Sequence, residues 1–334
     1  MVHLFVCQEV GRSPSKRGCK LSYRYLVTGG AGFIGSTIVE ELLRRGHEVR
    51  VIDNFSTGRR ENLLPFMGDI ELLEGDIRSY ERVHNAVVGV DYVIHEAALP
   101  SVPRSVQDPL TTNAANVEGT LNVLLASRDT GVRRVVLASS SSVYGANHTL
   151  PKREDMLLIP ISPYGVSKMT AERYACAFTA VYGLETASLR YFNVFGPRQN
   201  PFSQYSAVIP RFIRAAISGE RVTVFGDGLQ TRDFTYVDNV VRATISACNA
   251  EGVVGAAVNV AGGERHSLLD LIHEIESLVG KSLDVAFAAP REGDIRDSWA
   301  DIHVALTHLD MNDGICFSDG LRRTCDALAA VGEA

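Results

Sequence analysis

The sequence predicts an α/β fold: a doubly wound parallel sheet with a smaller, irregular α/β region on its C-terminal side. Three observations carry this. From Tyr25 to about Leu189, short apolar runs alternate with amphipathic stretches, the βαβ rhythm of a parallel sheet. The first run ends in a glycine turn that opens a helix. Beyond Phe192 the rhythm breaks, and Pro197, Pro201, Pro210 and several glycines separate shorter elements, as in a more irregular region.

In chain order, the first strand is expected over residues 25–28, and its helix over 33–45 with Gly46 as the stop. Strands at 48–52 and 70–74 follow, then a helix near 80–88 and a buried strand at 92–95. A long helix over 109–130 ends at Gly131, and the fifth strand covers 134–138. A second long helix, 164–182, ends at Gly183 and leads into a sixth strand at 185–190. Farther on, Ser267 with Asp270 three residues later reads as the cap of a helix to residue 279, stopped by Gly280. The expected organisation is an extension over 1–22 without fixed order, a nucleotide-binding domain over 23–191, and a substrate region over 192–334 with segments returning to the first domain.

Composition narrows the function classes. The 334 residues are 46% apolar and 22% charged, with a net charge of −6, ordinary for a soluble globular protein. There is no basic footprint for nucleic acid and no polybasic membrane patch. No apolar run is long enough to span a bilayer. The N-terminal order, apolar Leu4-Phe5-Val6 before basic Arg12, Lys16, Arg17 and Lys20, is not that of a secretory signal. The six cysteines are scattered without a paired CxxC, which points to free thiols in a reducing compartment, the cytoplasm, and to no metal site.

The glycine turn is Gly29-Gly30-Ala31-Gly32-Phe33-Ile34-Gly35, with Gly29, Gly32 and Gly35 three residues apart. Such a turn lets backbone N–H groups and a helix N-terminus approach a pyrophosphate. A plain structural turn is the bland alternative; the strand before it, the helix after it and Asp53 ending the next strand favour a dinucleotide site. Asp53 is followed by Asn54, not by arginine. A carboxylate there accepts ribose hydroxyls and repels a 2′-phosphate, which favours NAD over NADP. Asp76, after the third strand, reads equally as an adenine contact and as a strand-end turn residue.

A second constellation lies farther along. Ser139-Ser140-Ser141-Ser142-Val143-Tyr144-Gly145 ends the fifth strand, and Tyr164-Gly165-Val166-Ser167-Lys168 opens the next helix. Tyr164 and Lys168 are four apart and share a helical face. One YxxxK arises by chance in roughly one chain of six at this composition, so the pair counts only with the serine run and the dinucleotide turn. The residue types suit proton transfer coupled to hydride transfer. A phenol of pKa near 10 is a poor base at neutral pH. A nearby ammonium and a positive nicotinamide ring both favour the phenolate, and a serine hydroxyl holds the substrate oxygen in line.

Taken together, GGAGFIGS, DNFSTG, GDIR, HEAA, SSVYG, YGVSK and RYFNVFGPRQNP resemble an extended short-chain dehydrogenase/reductase, with a Rossmann-type NAD domain. More narrowly, the chain resembles the NAD-dependent nucleotide-sugar epimerase/dehydratase family over about residues 23–325, and within it the UDP-glucose and UDP-N-acetylglucosamine 4-epimerases. The resemblance implies Ser140, Tyr164 and Lys168 as the catalytic set, with Ser140 chosen by counting back four from Tyr144. It implies that NAD meets Phe33, Ile34, Asp53, Asn54, Gly58, Asp76, Ile77, Ala97, Ala98, Asn116 and Tyr191, besides the turn glycines, Tyr164 and Lys168. It also implies that the sugar faces Asn193, that Arg232 and Arg291 clamp the diphosphate, and that Asp294 holds the ribose. Ser101 in the loop after the fourth strand and Ala207 and Val208 in the run from Arg190 to Arg211 join the substrate set.

Two further implications narrow the reaction. Dehydratases of this family place an acidic pair after the catalytic Ser or Thr, where this chain has Ser141 and Ser142; that favours epimerisation. The position that excludes N-acetylated sugars when aromatic is Ser298 here, which is small. Pro100 departs from the glycine of relatives that take N-acetylated sugars. The expectation is therefore an NAD-dependent epimerase inverting C4 of a UDP-hexose through a 4-keto sugar, UDP-glucose/UDP-galactose and their N-acetylated forms. The alternatives are a 4,6-dehydratase, a uronate epimerase or a GDP-sugar enzyme, and, in a different class, a non-catalytic NAD-binding regulator. The apolar stripes of helices 109–130 and 164–182 suit either a homodimer or burial within the monomer, and a homodimer through them is the expectation.

Overall fold

The computed structural model describes residues 22–201, 207–290 and 296–332. Its centre is a seven-stranded sheet in which every neighbouring pair is parallel. In chain order the first elements are β1 (Arg24–Thr28), α1 (Phe33–Arg44), β2 (Glu48–Asp53), β3 (Ile70–Glu74), α2 (Tyr80–Val87) and β4 (Tyr92–His95). There follow α3 (Val102–Gln107), α4 (Pro109–Asn113), α5 (Gly119–Thr130), β5 (Arg134–Ser140), α6 (Pro163–Tyr182) and β6 (Glu185–Tyr191). Strand order is Ala256–Val260, β6, β5, β4, β1, β2, β3. The sheet grows one way from β1 and the other way from β4, so a crevice opens between their carboxyl ends, where open α/β sheets bind ligands.

The strands are apolar on both faces because helices cover both. Alternation sorts the side chains: Tyr25 and Val27 join the core under α1, while Leu26 points into the core under α2 and α5. Helix ends follow local chemistry. Ser162 caps α6 by accepting the Gly165 N–H at 3.1 Å, Pro163 occupies its first turn, and Gly183 ends it in the left-handed conformation. Ser267 and Asp270 form the expected reciprocal capping box.

One expectation is corrected and one element is added. The single helix over 109–130 is α4, a π turn at Ala114–Glu118, and α5. The π turn contains Asn116, whose amide is drawn to the backbone of Leu99 at 2.7 and 3.1 Å. The seventh strand, Ala256–Val260, had no counterpart in the sequence reading; it leaves the C-terminal half to pair with β6. That half otherwise contains the helices Val208–Ser218 and Leu268–Val279, and the parallel pair Val222–Phe225 and Val285–Ala288. Phe195, Phe234, Tyr236 and Phe317 pack as an aromatic cluster beneath them.

Candidate active site

The glycine turn closes tightly at the carboxyl end of β1. Gly29 sits at φ +71°, and a Cβ there would lie 2.7 Å from the Ala97 backbone; a Cβ on Gly35 would lie 2.3 Å from the Gly29 carbonyl oxygen. Only glycine permits that approach. Helix α1 begins at Phe33 with no side-chain cap, leaving its first N–H groups for an anion. Asp53 anchors the turn: Ala31 N–H donates to Oδ2 at 2.9 Å and Phe55 N–H to Oδ1 at 2.8 Å. Burial pushes its carboxyl up, and the backbone donors oppose that rise. Gly58 packs against Ala31 and Asp53. Asn54 donates to Asp76 at 2.9 Å. Arg78 holds the Asp76 carboxyl down at about 2, from three donors. The cradle therefore fits a dinucleotide: backbone donors, a helix N-terminus, and an acid at the end of the second strand.

Across the crevice, Ser140 ends β5 and accepts the Ser142 N–H at 3.1 Å. A Cβ on Gly165 would lie 2.7 Å from the Ser142 carbonyl oxygen; this close approach brings the N-terminus of α6, and Tyr164 with it, against the serine turn. Tyr164 donates its N–H to Ser105 at 3.0 Å. Burial pushes the Tyr164 phenol up; a hydrogen bond from Ser140 lowers it and the Glu96 charge raises it. The sequence reading expected the Lys168 ammonium to lower this phenol. Instead burial dominates, the lowering comes from Ser140, and Lys168 donates to the Ala138 carbonyl oxygen at 2.8 Å. Burial takes Lys168 down to about 8, opposed by Glu96.

Glu96 was not singled out from the sequence. It follows β4 directly, accepts the Tyr191 hydroxyl at 2.8 Å, and is pushed up by burial to about 7. The other neighbours of the crevice are fully engaged. Asn116 bonds Leu99 and Ser167. Ala97 N–H donates to Thr28 at 3.2 Å, and Ile77 is buried against α5. Ala98 lies half-buried in the loop after β4, and Ser101, at φ +99°, caps α3.

A cavity of about 270 Å³ lies in the C-terminal half. Asn193, Ala207, Val208 and Arg232 all line it. Thr223, Phe225 and Gln230, which the sequence reading did not single out, also line it; no local pattern in the sequence marks them. Arg232 donates to the carbonyl oxygens of Thr231 and Arg296, each at 2.9 Å. Asn193 (φ +33°) donates to the Asp233 carbonyl oxygen at 2.9 Å. Ser298 is not among the lining residues; its N–H donates to the Thr231 carbonyl oxygen at 3.1 Å, one residue from Arg232. Arg291 and Asp294 lie outside the described residues.

Residues 25–261 match the sequence profile of the NAD dependent epimerase/dehydratase family. The chain belongs to that family. A UDP-glucose 4-epimerase of Mycolicibacterium smegmatis is 38% identical, over 91% of this chain and 97% of the relative. A UDP-glucuronate 4-epimerase of Thermodesulfobacterium geofontis is 34% identical, over 90% and 94%. Among solved structures, a UDP-N-acetylglucosamine 4-epimerase from Methanobrevibacter ruminantium, in complex with UDP-N-acetylmuramic acid, superposes with a TM-score of 0.87 at 37% identity, covering 93% of this chain and 99% of that one. The epimerase/dehydratase fold thus accounts for the parallel sheet, and NAD for the glycine turn with Asp53. Among the described residues no helix is long and apolar enough to cross a membrane.

Proposed function

We propose that the protein inverts C4 of a UDP-hexose through a 4-keto sugar, acting on UDP-glucose/UDP-galactose and on their N-acetylated forms. The observation that carries this reading is the close approach of the α6 N-terminus, with Tyr164 and buried Lys168, to the turn of Ser140 and Ser142 at the mouth of the NAD cradle. Tyr164 takes the C4 hydroxyl proton and later returns it. Ser140 holds the C4 oxygen, and its hydrogen bond favours the phenolate. Lys168, one helical turn beyond Tyr164 and buried, keeps a positive charge within the site. The glycine turn and Asp53 would hold NAD, whose nicotinamide would supply the hydride acceptor and donor for C4. Arg232 and Asn193 are proposed to face the diphosphate and the sugar from the cavity they line. Ser141 and Ser142 offer no acid–base pair for eliminating water.

The same site would turn over a uronate, as the Thermodesulfobacterium relative's name says of that protein. Incubation with UDP-galactose, UDP-N-acetylgalactosamine and UDP-galacturonate, with products resolved by NMR, separates these readings. Inversion of the first two is expected. Inversion of the uronate alone selects the second reading, and no inversion with NAD retained overturns both. Tyr164→Phe is expected to abolish turnover while NAD stays bound.

We further propose a homodimer through the helices of residues 109–130 and 164–182. On α6, Val166, Tyr174, Ala177 and Val181 are exposed along one stripe, opposite buried Lys168, Ala171 and Ala175. The cysteines Cys176, Cys248, Cys316 and Cys325 are free thiols, consistent with the cytoplasm as the proposed location.

A further inference from the structure

Below the crevice lies a charged network with no direct part in the proposed chemistry. Arg190 and Glu172 form an ion pair at 2.7 Å with side chains 2% and 0% exposed. Arg190 also donates Nε to Glu172 Oε2 at 3.0 Å and Nη1 to the Tyr144 hydroxyl at 2.8 Å. Ser139 donates to Glu172 Oε2 at 3.0 Å, and Tyr144 donates to Asn259 at 2.7 Å. Asn259 belongs to the seventh strand and donates in turn to the Lys152 carbonyl oxygen.

A buried ion pair is a weak source of stability, since well-packed apolar groups of equal volume often do as well or better. Its geometry is more telling. Ser139 and Arg190 are direct cross-strand partners in β5 and β6, and Glu172 sits on α6 four residues beyond Lys168 and eight beyond Tyr164, on one face. Helix α6 therefore grips β5 at successive levels, through Lys168 on Ala138 and Glu172 on Ser139. Ser140 lies between two residues that Arg190 controls: Ser139 through Glu172, and Tyr144 directly. From this bracketing we propose that Arg190, with Glu172 and Tyr144, is a positioning device that fixes the Ser140 hydroxyl against the Tyr164 phenol. The device rests on the proposed roles of Ser140 and Tyr164, and works by geometry alone.

The test uses Tyr144→Phe and Arg190→Lys in the full chain, with Ser140→Ala as the reference. Fold and retained nicotinamide are checked by circular dichroism and absorbance; Tyr144→Phe, which deletes one oxygen, keeps the test open if Arg190→Lys fails to fold. Two readouts follow. With carbon-labelled tyrosine, the Tyr164 resonance, assigned by its loss in Tyr164→Phe, is titrated; this needs no substrate. Both variants are expected to raise the Tyr164 pKa toward that of Ser140→Ala, because the Ser140 hydrogen bond that lowers it is loosened. With a UDP-hexose that the wild type inverts, kcat is expected to fall of order tenfold to a hundredfold, with KM changing by no more than about twofold. A Tyr164 pKa that stays at the wild-type value in a folded variant overturns the proposal. So does a fall in kcat matched by loss of NAD and a rise in KM, which marks a merely structural role. A wild type that inverts no UDP-hexose refutes the functional reading instead, while the titration still decides the positioning.

Discussion

The Thr28 hydroxyl and His95 Nδ1 share a hydrogen bond at 2.7 Å, joining the two strands that flank the crevice. Thr28 also accepts the Ala97 N–H, and Thr120 donates its hydroxyl to the Asn116 carbonyl oxygen. Because Thr120 spends its proton on Asn116, His95 Nε2 donates to Thr120 at 3.0 Å; burial keeps the imidazole neutral, which leaves Nδ1 to accept from Thr28. One relay of hydrogen bonds runs from β1 through β4 to α5.

Acid should break that relay. Burial holds His95 down at about 3, whereas an unfolded histidine titrates near 6.5. Between these values the unfolded chain binds a proton that the native chain refuses. Stability is therefore present above about pH 6.5 and is lost as pH falls toward 3, at about 1.4 kcal/mol per pH unit for this group. Urea unfolding of the wild type and of His95→Gln between pH 7.5 and 5 should show a steeper fall for the wild type. Parallel curves would refute the assignment.

Glu96→Gln should move the activity profile toward acid. The Glu96 carboxylate raises both the Lys168 ammonium and the Tyr164 phenol, so removing its charge lowers both. The limb set by forming the phenolate and the limb set by losing the ammonium then shift in the same direction. The pH dependence of kcat/KM measures this; an unmoved profile would mean that Glu96 does not act on the pair.

Gly29→Ala should cost the protein its cofactor. The new Cβ would meet the Ala97 backbone at 2.7 Å from a residue at positive φ, a strain of roughly 1–3 kcal/mol. The purified variant is expected to carry much less nicotinamide than the wild type while Tyr164 and Lys168 remain in place. Full retention would show that the turn has room to move.

Val181→Glu tests the proposed dimer. Val181 is 70% exposed at the C-terminal end of the α6 stripe, so a charge there costs the monomer little but would be buried between two copies. Light scattering should report half the wild-type mass. An unchanged dimer would place the interface elsewhere.

Ser298→Tyr probes substrate breadth. If Ser298 borders the sugar, the larger ring should reduce turnover of N-acetylated substrates by about tenfold or more and spare UDP-galactose. Equal losses on both would detach Ser298 from sugar selection.

Much of the site was legible because its chemistry is local. The glycine spacing, Asp53 at a strand end, Tyr164 and Lys168 on one helical turn, and Ser267 capping through Asp270 each depend on residues within a few positions. Glu96 was passed over because nothing nearby in sequence shows it as buried; its partners Tyr191 and Lys168 lie some 70 to 95 positions away. The π turn at Ala114–Glu118 was equally hidden, since Asn116 is held by Leu99 and Ser167 and not by its own helix. Arg190 and Glu172 looked like an ordinary strand residue and an ordinary helix residue until β5 brought Ser139 between them.

The strand Ala256–Val260 pairs along β6 from Ala187 to Tyr191. A polypeptide ending near residue 192 would expose that row of backbone donors and acceptors as a raw sheet edge, a template for aggregation. It would also remove Asn259, the acceptor of the Tyr144 hydroxyl. The central sheet is therefore complete only with a strand from the C-terminal half, and the whole chain is expected to melt in a single transition.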